Sequence, residues 1–209
     1  MAITVKTSGG GGIKVFIDDV KYKNDLNLQS LIINFEKSTL PYDFYGGSAV
    51  LYDNEIHIMG GSGNGTKHYV YNGSTWSSES TLPYSFYYGS AVAYNNEIHI
   101  LGGKGDTTAH YVYNGSTWSS ESTLPYSFYS GSAVVYDNKI HILGGEGTST
   151  RTNHYAYNGS TWSSESTLPY DFYSGSAVAY NNQINILGGE GPSTMTNHYI
   201  INSTLYKEV

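Results

Sequence analysis

Twenty-two tyrosines and seven histidines carry most of the chemical capacity of this 209-residue chain, and both fall at regular places. A tyrosine-rich phrase occurs four times, as Tyr42-Asp43-Phe44-Tyr45, Tyr84-Ser85-Phe86-Tyr87, Tyr126-Ser127-Phe128-Tyr129 and Tyr170-Asp171-Phe172-Tyr173. A phenol joins a flat apolar ring to a hydroxyl and loses little rotamer entropy on contact, so such groups suit shallow recognition of sugars or protein surfaces. The candidate ligand-binding residues are therefore Tyr42, Asp43, Tyr45, Tyr84, Tyr87, Tyr126, Tyr129, Tyr170, Asp171 and Tyr173. Rings at these places also have a structural use as wedges between packed sheets, which we expect chiefly of the phenylalanines.

Other chemistry is weaker on the same residues. Asp43 and Asp171 become Ser85 and Ser127 in the other repeats and have no neighbouring base in sequence, so no catalytic residue is assigned. His57, His99 and His141 share one place, where the fourth repeat has Asn185, and no His-x-His or His-x3-His pair supplies two ligands locally. They are expected to pack, as are His68, His110, His154 and His198; no metal or cofactor is expected. Asn64, Asn72, Asn114, Asn158 and Asn202 fit the glycosylation pattern, but Asn72, Asn114 and Asn158 each open an Asn-Gly pair, a turn signal.

The elements that must position these groups follow from the repeat. Leu-Pro pairs at Leu40, Leu82, Leu124 and Leu168 are 42, 42 and 44 residues apart. Within each unit, Gly47–Tyr52 reads as a first strand and Glu55–Met59 as a second, joined through Asp53-Asn54, residues that tolerate the left-handed backbone of a two-residue turn. His68–Tyr71 reads as a third strand, and Asn72-Gly73 as a short hairpin into a fourth strand near Trp76. A lone sheet of four short strands cannot bury its faces, so the units must pack on one another, and radial closure protects their edges. The expectation is an all-β propeller with four clear four-stranded blades in residues 38–209. The tyrosine phrases and the variable loops between second and third strands then share one face.

Residues 1–37 are expected to hold a glycine-rich linker at Gly9–Gly12 and a hairpin from Ile13–Ile17 and Val20–Lys23. Leu31–Lys37 would be a closing strand, or the whole segment a fifth divergent sheet or attachment element. The last repeat is degenerate, with Ile201 and Leu205 where the others have Tyr and Trp, and its sheet should be the weakest.

Composition narrows the partners. A net charge of −7 with ten Lys and Arg gives no reason to approach nucleic acid or anionic lipid. The absence of cysteine removes disulfide and thiolate chemistry. No stretch approaches the roughly 18 apolar residues of a membrane span, and Met1–Gly12 lacks the apolar core of a signal peptide.

The doublets Gly60-Gly61, Gly102-Gly103, Gly144-Gly145 and Gly188-Gly189, each followed by Tyr and, in three repeats, by Trp76, Trp118 or Trp162, resemble the kelch family from about Leu40 onwards. The unit is shorter than the kelch period of about 50 residues. Tyr45, Tyr87, Tyr129 and Tyr173 stand where the family often carries arginine. The opening Met1–Gly10, the Lys14–Asn27 segment and the Tyr-Asn-Gly-Ser-Thr-Trp repeats are similar to kelch proteins of phage tails and prophages of Gram-positive bacteria. That resemblance implies a non-enzymatic module that binds a glycan or cell surface, associated with the virion or acting in the host cytoplasm, with phage structural proteins as partners. Kelch propellers also include intracellular interaction domains and sugar-modifying enzymes. A cysteine-linked tyrosine site is impossible here, and an epimerase would need arginines that the Tyr45 series replaces.

Overall fold

The computed structural model describes residues 3–8, 12–17, 39–147, 151–190, 196 and 198–202, the first two stretches as backbone. The described residues contain no helix, and their strands pair antiparallel throughout. No helix among them is long and apolar enough to cross a membrane.

Two compact units divide the chain, Met1–Thr39 and Leu40–Val209. In the first, β1 (Ile3–Ser8) pairs with β2 (Gly12–Ile17), with Ile3 opposite Ile17 and Ser8 opposite Gly12. The strand expected at Ile13–Ile17 is present, but its partner lies upstream, and Gly12 belongs to the ladder rather than to a linker. Residues 20–23 and 31–37, expected as a hairpin arm and a closing strand, lie outside the described residues.

The second unit is a four-blade β-propeller. Blade 1 comprises β3 (Ser48–Tyr52), β4 (Glu55–Met59), β5 (His68–Tyr71) and β6 (Trp76–Ser78) in sequential order. Blade 2 comprises β7 (Ser90–Tyr94), β8 (Glu97–Leu101), β9 (His110–Tyr113) and β10 (Trp118–Ser120). Blade 3 repeats this with β11 (Ser132–Tyr136), β12 (Lys139–Leu143), β13 (His154–Tyr157) and β14 (Trp162–Ser164). Blade 4 shows β15 (Ser176–Tyr180), β16 (Gln183–Leu187) and β17 (His198–Asn202); Leu205, the expected start of its outer strand, lies outside the described residues.

Turn chemistry sets the registers. Asp53 and Asn54 adopt φ of 48° and 62°, and the equivalent pairs in the other blades do the same, giving the expected two-residue turn that places Tyr52 opposite Glu55. The second hairpin departs from expectation. Tyr71 pairs with Trp76, so four residues, not two, make the turn. Asn72 Oδ1 accepts from the N–H groups of both Ser74 and Thr75 at 3.0 Å, an arrangement that competes with a tight turn.

The core lies between blades. Val50, Tyr52 and Met59 of blade 1 pack on Ile98, Ile100 and Tyr113 of blade 2, and equivalent sets join blades 2 and 3 and blades 3 and 4. Phe86, Phe128 and Phe172 are fully buried wedges, each worth about 2 kcal/mol of apolar transfer. Their carbonyls accept from the N–H groups of Gly61, Gly103 and Gly145 of the preceding blade at 2.7–2.8 Å. The first glycine of the three doublets at these junctions must be glycine: a Cβ on Gly60, Gly102 or Gly144 would overlap the carbonyl oxygen of Phe86, Phe128 or Phe172.

Candidate functional site

Each blade positions its tyrosine phrase by pairing it with the start of its own loop between second and third strands. Ser62, Lys104, Glu146 and Glu190 donate their N–H groups to the carbonyls of Tyr45, Tyr87, Tyr129 and Tyr173 at 2.7–2.8 Å. Tyrosine phrases and variable loops thus lie side by side on one face.

The ten candidate residues divide by environment. Tyr42, Tyr84, Tyr126 and Tyr170 turn inward and donate their hydroxyls to the carbonyls of Gly60, Gly102, Gly144 and Gly188 at 3.0, 2.6, 2.8 and 3.0 Å. Burial raises all four phenols, that of Tyr42 to about 12. These hydroxyls staple the phrase to the glycine doublet of the same blade. Tyr45, by contrast, is 66% exposed. Tyr87, Tyr129 and Tyr173 are half-buried, Asp43 is exposed, and Asp171 is half-buried.

Cations gather over these rings. Lys104 Nζ sits 5.0 Å from the Tyr88 ring and 5.2 Å from that of Tyr129, reaching from blade 2 to blade 3. The Arg151 guanidinium lies 4.2 Å over Tyr173 and 3.7 Å from Glu146, and Lys67 lies 5.1 Å over Tyr42. Each such contact is worth about 0.5–1 kcal/mol at an exposed site and holds the ring in one orientation.

Tyr88 was not among the sequence candidates, yet it is the hub. Tyr45 meets it edge-to-face at 5.9 Å, and Tyr87 lies 5.7 Å away. A side-chain hydrogen bond to Tyr45 raises the Tyr88 phenol above its usual range. Its φ is 57°, left-handed backbone that is costly for a bulky residue. The equivalents Gly46, Ser130 and Ser174 share that conformation, because the four positions form a chain of backbone hydrogen bonds across the blades. Tyr88 donates to Gly46 at 2.6 Å, Ser130 to Tyr88 and Ser174 to Ser130 at 2.7 Å. These residues, with Gly47 and Gly89, line a concavity of about 300 Å³ common to all four blades. The available sequence signal was that Gly, Tyr, Ser and Ser differ at one place in otherwise near-identical repeats.

The histidines are brought together in a way that spacing did not reveal. His57 Nδ1 lies 2.9 Å from His68 Nε2, and His99 with His110 and His141 with His154 repeat the contact. Burial holds the His68, His99, His110 and His141 rings down at about 4 and lowers His57 and His154 too. In blade 4, Asn185 Oδ1 accepts from His198 at 2.8 Å. Among the described residues, no group of three or more His, Cys, Asp or Glu gathers as a metal site. Nearby, Tyr113 donates to Glu79 at 2.7 Å beside a polar hollow of about 320 Å³ on the hairpin side.

The chain matches no protein-family model and no curated protein. The loop face therefore speaks through its own chemistry: one exposed phenol ring and several half-buried ones, three of these under a cation, around a shallow concavity. Such a surface can stack on a pyranose face or an apolar protein patch while hydroxyls, lysine and arginine meet polar groups at its edge.

Proposed function

We propose that this chain is a kelch-like binding propeller that recognises carbohydrate on a cell surface, without catalysis, through the Tyr45, Tyr87, Tyr88, Tyr129 and Lys104 cluster and its Tyr173–Arg151 neighbour. The observation that carries the reading is that Tyr45 is largely exposed and edge-on to Tyr88, which with Gly46 lines the concavity shared by the blades. Near-identical repeats add several weak sites on one body, and multivalent engagement raises avidity by about 10²–10⁴ without new contacts. The resemblance of the N-terminal sequence to phage-tail kelch proteins supports presentation from a virion, with the Met1–Thr39 unit as the attachment element.

The test is a glycan-array screen of the intact protein beside a variant with Tyr45, Tyr87, Tyr129 and Tyr173 all changed to Ala. Binding by the parent and its loss in the variant are expected. Equal binding by both would move the site off the tyrosine face, and silence from both would reject carbohydrate as the ligand.

A further inference from the structure

Three junctions between blades are built alike, and among the described residues nothing is packed on the two faces that would make the next one. On blade 4, Val178, Tyr180 and Leu187 face outward in the position that Val92, Tyr94 and Leu101 occupy in blade 2. Tyr180 is 67% exposed against 5% for Tyr94, and Leu187 41% against 0% for Leu101. On blade 1, Leu40, Leu51 and Ile56 form the opposite face; Leu40 is 49% exposed against 3% for Leu82, and Ile56 43% against 0% for Ile98. Large contiguous apolar faces of this kind mark interaction sites.

The built junctions show what each bare face accepts. At every one, a tyrosine hydroxyl reaches the turn carbonyl of the next blade: Tyr52 to Asn96, Tyr94 to Asn138 and Tyr136 to Asn182, at 2.9–3.0 Å. Tyr180 is the next in that series, and the acceptor it calls for is a residue placed as Asn54 is in blade 1. The second glycine of each doublet donates to the wedge phenylalanine ahead of it, so Gly189 calls for the carbonyl of Phe44. The inner backbone chain ends at Ser174, and its next donor is the N–H of Gly46. Apolar faces and three kinds of hydrogen bond all point to blade 1 as the complement of blade 4.

Among the described residues of one chain the two faces stay apart and exposed, and the existing junctions leave no slack for them to swing together. Gly61, Gly103 and Gly145 donate to the phenylalanine carbonyls of the next blade at 2.7–2.8 Å, and a Cβ on the neighbouring Gly60, Gly102 or Gly144 would overlap those same carbonyl oxygens. We infer that the occupant is a second copy of this chain, with blade 4 of each protomer packing on blade 1 of the other, so that two arcs close into one larger propeller. The contact is head-to-tail, and such heterologous contacts form closed rings when the rotation permits. Doubling four blades stays within the range of about four to eight known for propellers. The inference does not depend on which ligand the tyrosine face takes, but pairing at Phe44 and Gly46 sets blade 4 of the second copy beside Tyr45 and doubles the number of tyrosine phrases per particle.

Native mass spectrometry and light scattering of the full chain at micromolar concentration should show a dimer. Tyr180→Asp and Ile56→Asp should each raise the dissociation constant at least 100-fold, leaving monomer. An equimolar mixture of the two should regain a heterodimer, because one unmutated blade 4 face still meets one unmutated blade 1 face. Both side chains are exposed in the single chain, so circular dichroism of each variant should match the parent; Val178→Ser and Leu51→Ser serve as milder substitutes should either charge disturb folding. A parent that stays monomeric up to 100-fold higher concentration would overturn the inference. A mixture that fails to re-associate would overturn the head-to-tail arrangement, and open-ended oligomers would overturn closure into a ring.

Discussion

His99 Nδ1 and His110 Nε2 lie 2.9 Å apart inside blade 2, joined by a hydrogen bond that needs at least one of the two rings neutral. Burial holds both near a pKa of about 4, whereas in the unfolded chain they take protons near pH 6.5. Between those values the unfolded state binds more protons than the folded one, so stability falls as pH drops from about 6.5 to 4. The His57–His68 and His141–His154 pairs add to the same window. The melting temperature should hold from pH 8 to about 6.5, decline to about pH 4, and gain no further histidine-linked loss below. Blade 4 supplies the control, since Asn185 already replaces one ring: His99→Asn should fold and show a shallower decline by calorimetry. A variant with the parent's full decline would assign the acid sensitivity elsewhere.

The glycine doublets give a second prediction, in stability. At Gly102 an added methyl overlaps the Phe128 carbonyl of the next blade, while at Gly73 it meets open space. Both have positive φ, so both alanine variants bear backbone strain of about 1–2 kcal/mol. Only Gly102→Ala must also push two blades apart, and its total cost should reach about 3–4 kcal/mol. Denaturant titration of the two variants compares them directly; equal losses would show that conformation alone, not interblade contact, fixes the doublet.

The first tyrosine of one phrase and the last of another should separate structure from recognition. Tyr84 spends its hydroxyl on the Gly102 carbonyl at 2.6 Å, so Tyr84→Phe should cost about 1 kcal/mol, the worth of an intramolecular hydrogen bond, and leave ligand binding alone. Tyr45 is exposed, so Tyr45→Ala should change stability by no more than about 0.5 kcal/mol while weakening binding. Melting curves and glycan titration on the two variants read both quantities. The reverse pattern would move the binding site off the exposed rim.

What the sequence revealed, and what it hid, divides along local and distant causes. Asp53-Asn54 and its equivalents declared their turns because two adjacent residues that tolerate positive φ are a local fact. The four-residue loops escaped notice because they depend on where the Asn72 carboxamide points, not on the Asn-Gly pair. The histidine pairs were hidden because His99 stands opposite Val112 and His110 opposite Leu101, a diagonal contact fixed only by register. Tyr88 was hidden for a longer-range reason. Its backbone is fixed by a bond to Gly46, 42 residues earlier, and no residue pattern near Tyr88 records it.

Tyr88 carries the last prediction because its blade-to-blade equivalents show what the position prefers. Gly46 meets the same left-handed backbone without a side chain, and Ser130 and Ser174 meet it with a small one. A tyrosine there costs about 1–3 kcal/mol of strain, which persists only where the surroundings or a function hold it. Here the surroundings are Tyr45, Tyr87 and Lys104 at 5.0–5.9 Å, contacts made at the surface and individually weak. Tyr88→Gly should therefore raise stability by about 1 kcal/mol or leave it unchanged, while freeing Tyr45 and Lys104 to move and reducing glycan affinity by more than Tyr45→Ala does. Chemical denaturation and binding measured on the same preparation decide it. A Tyr88→Gly protein that is destabilised and binds normally would mark the residue as a packing element and remove it from the site.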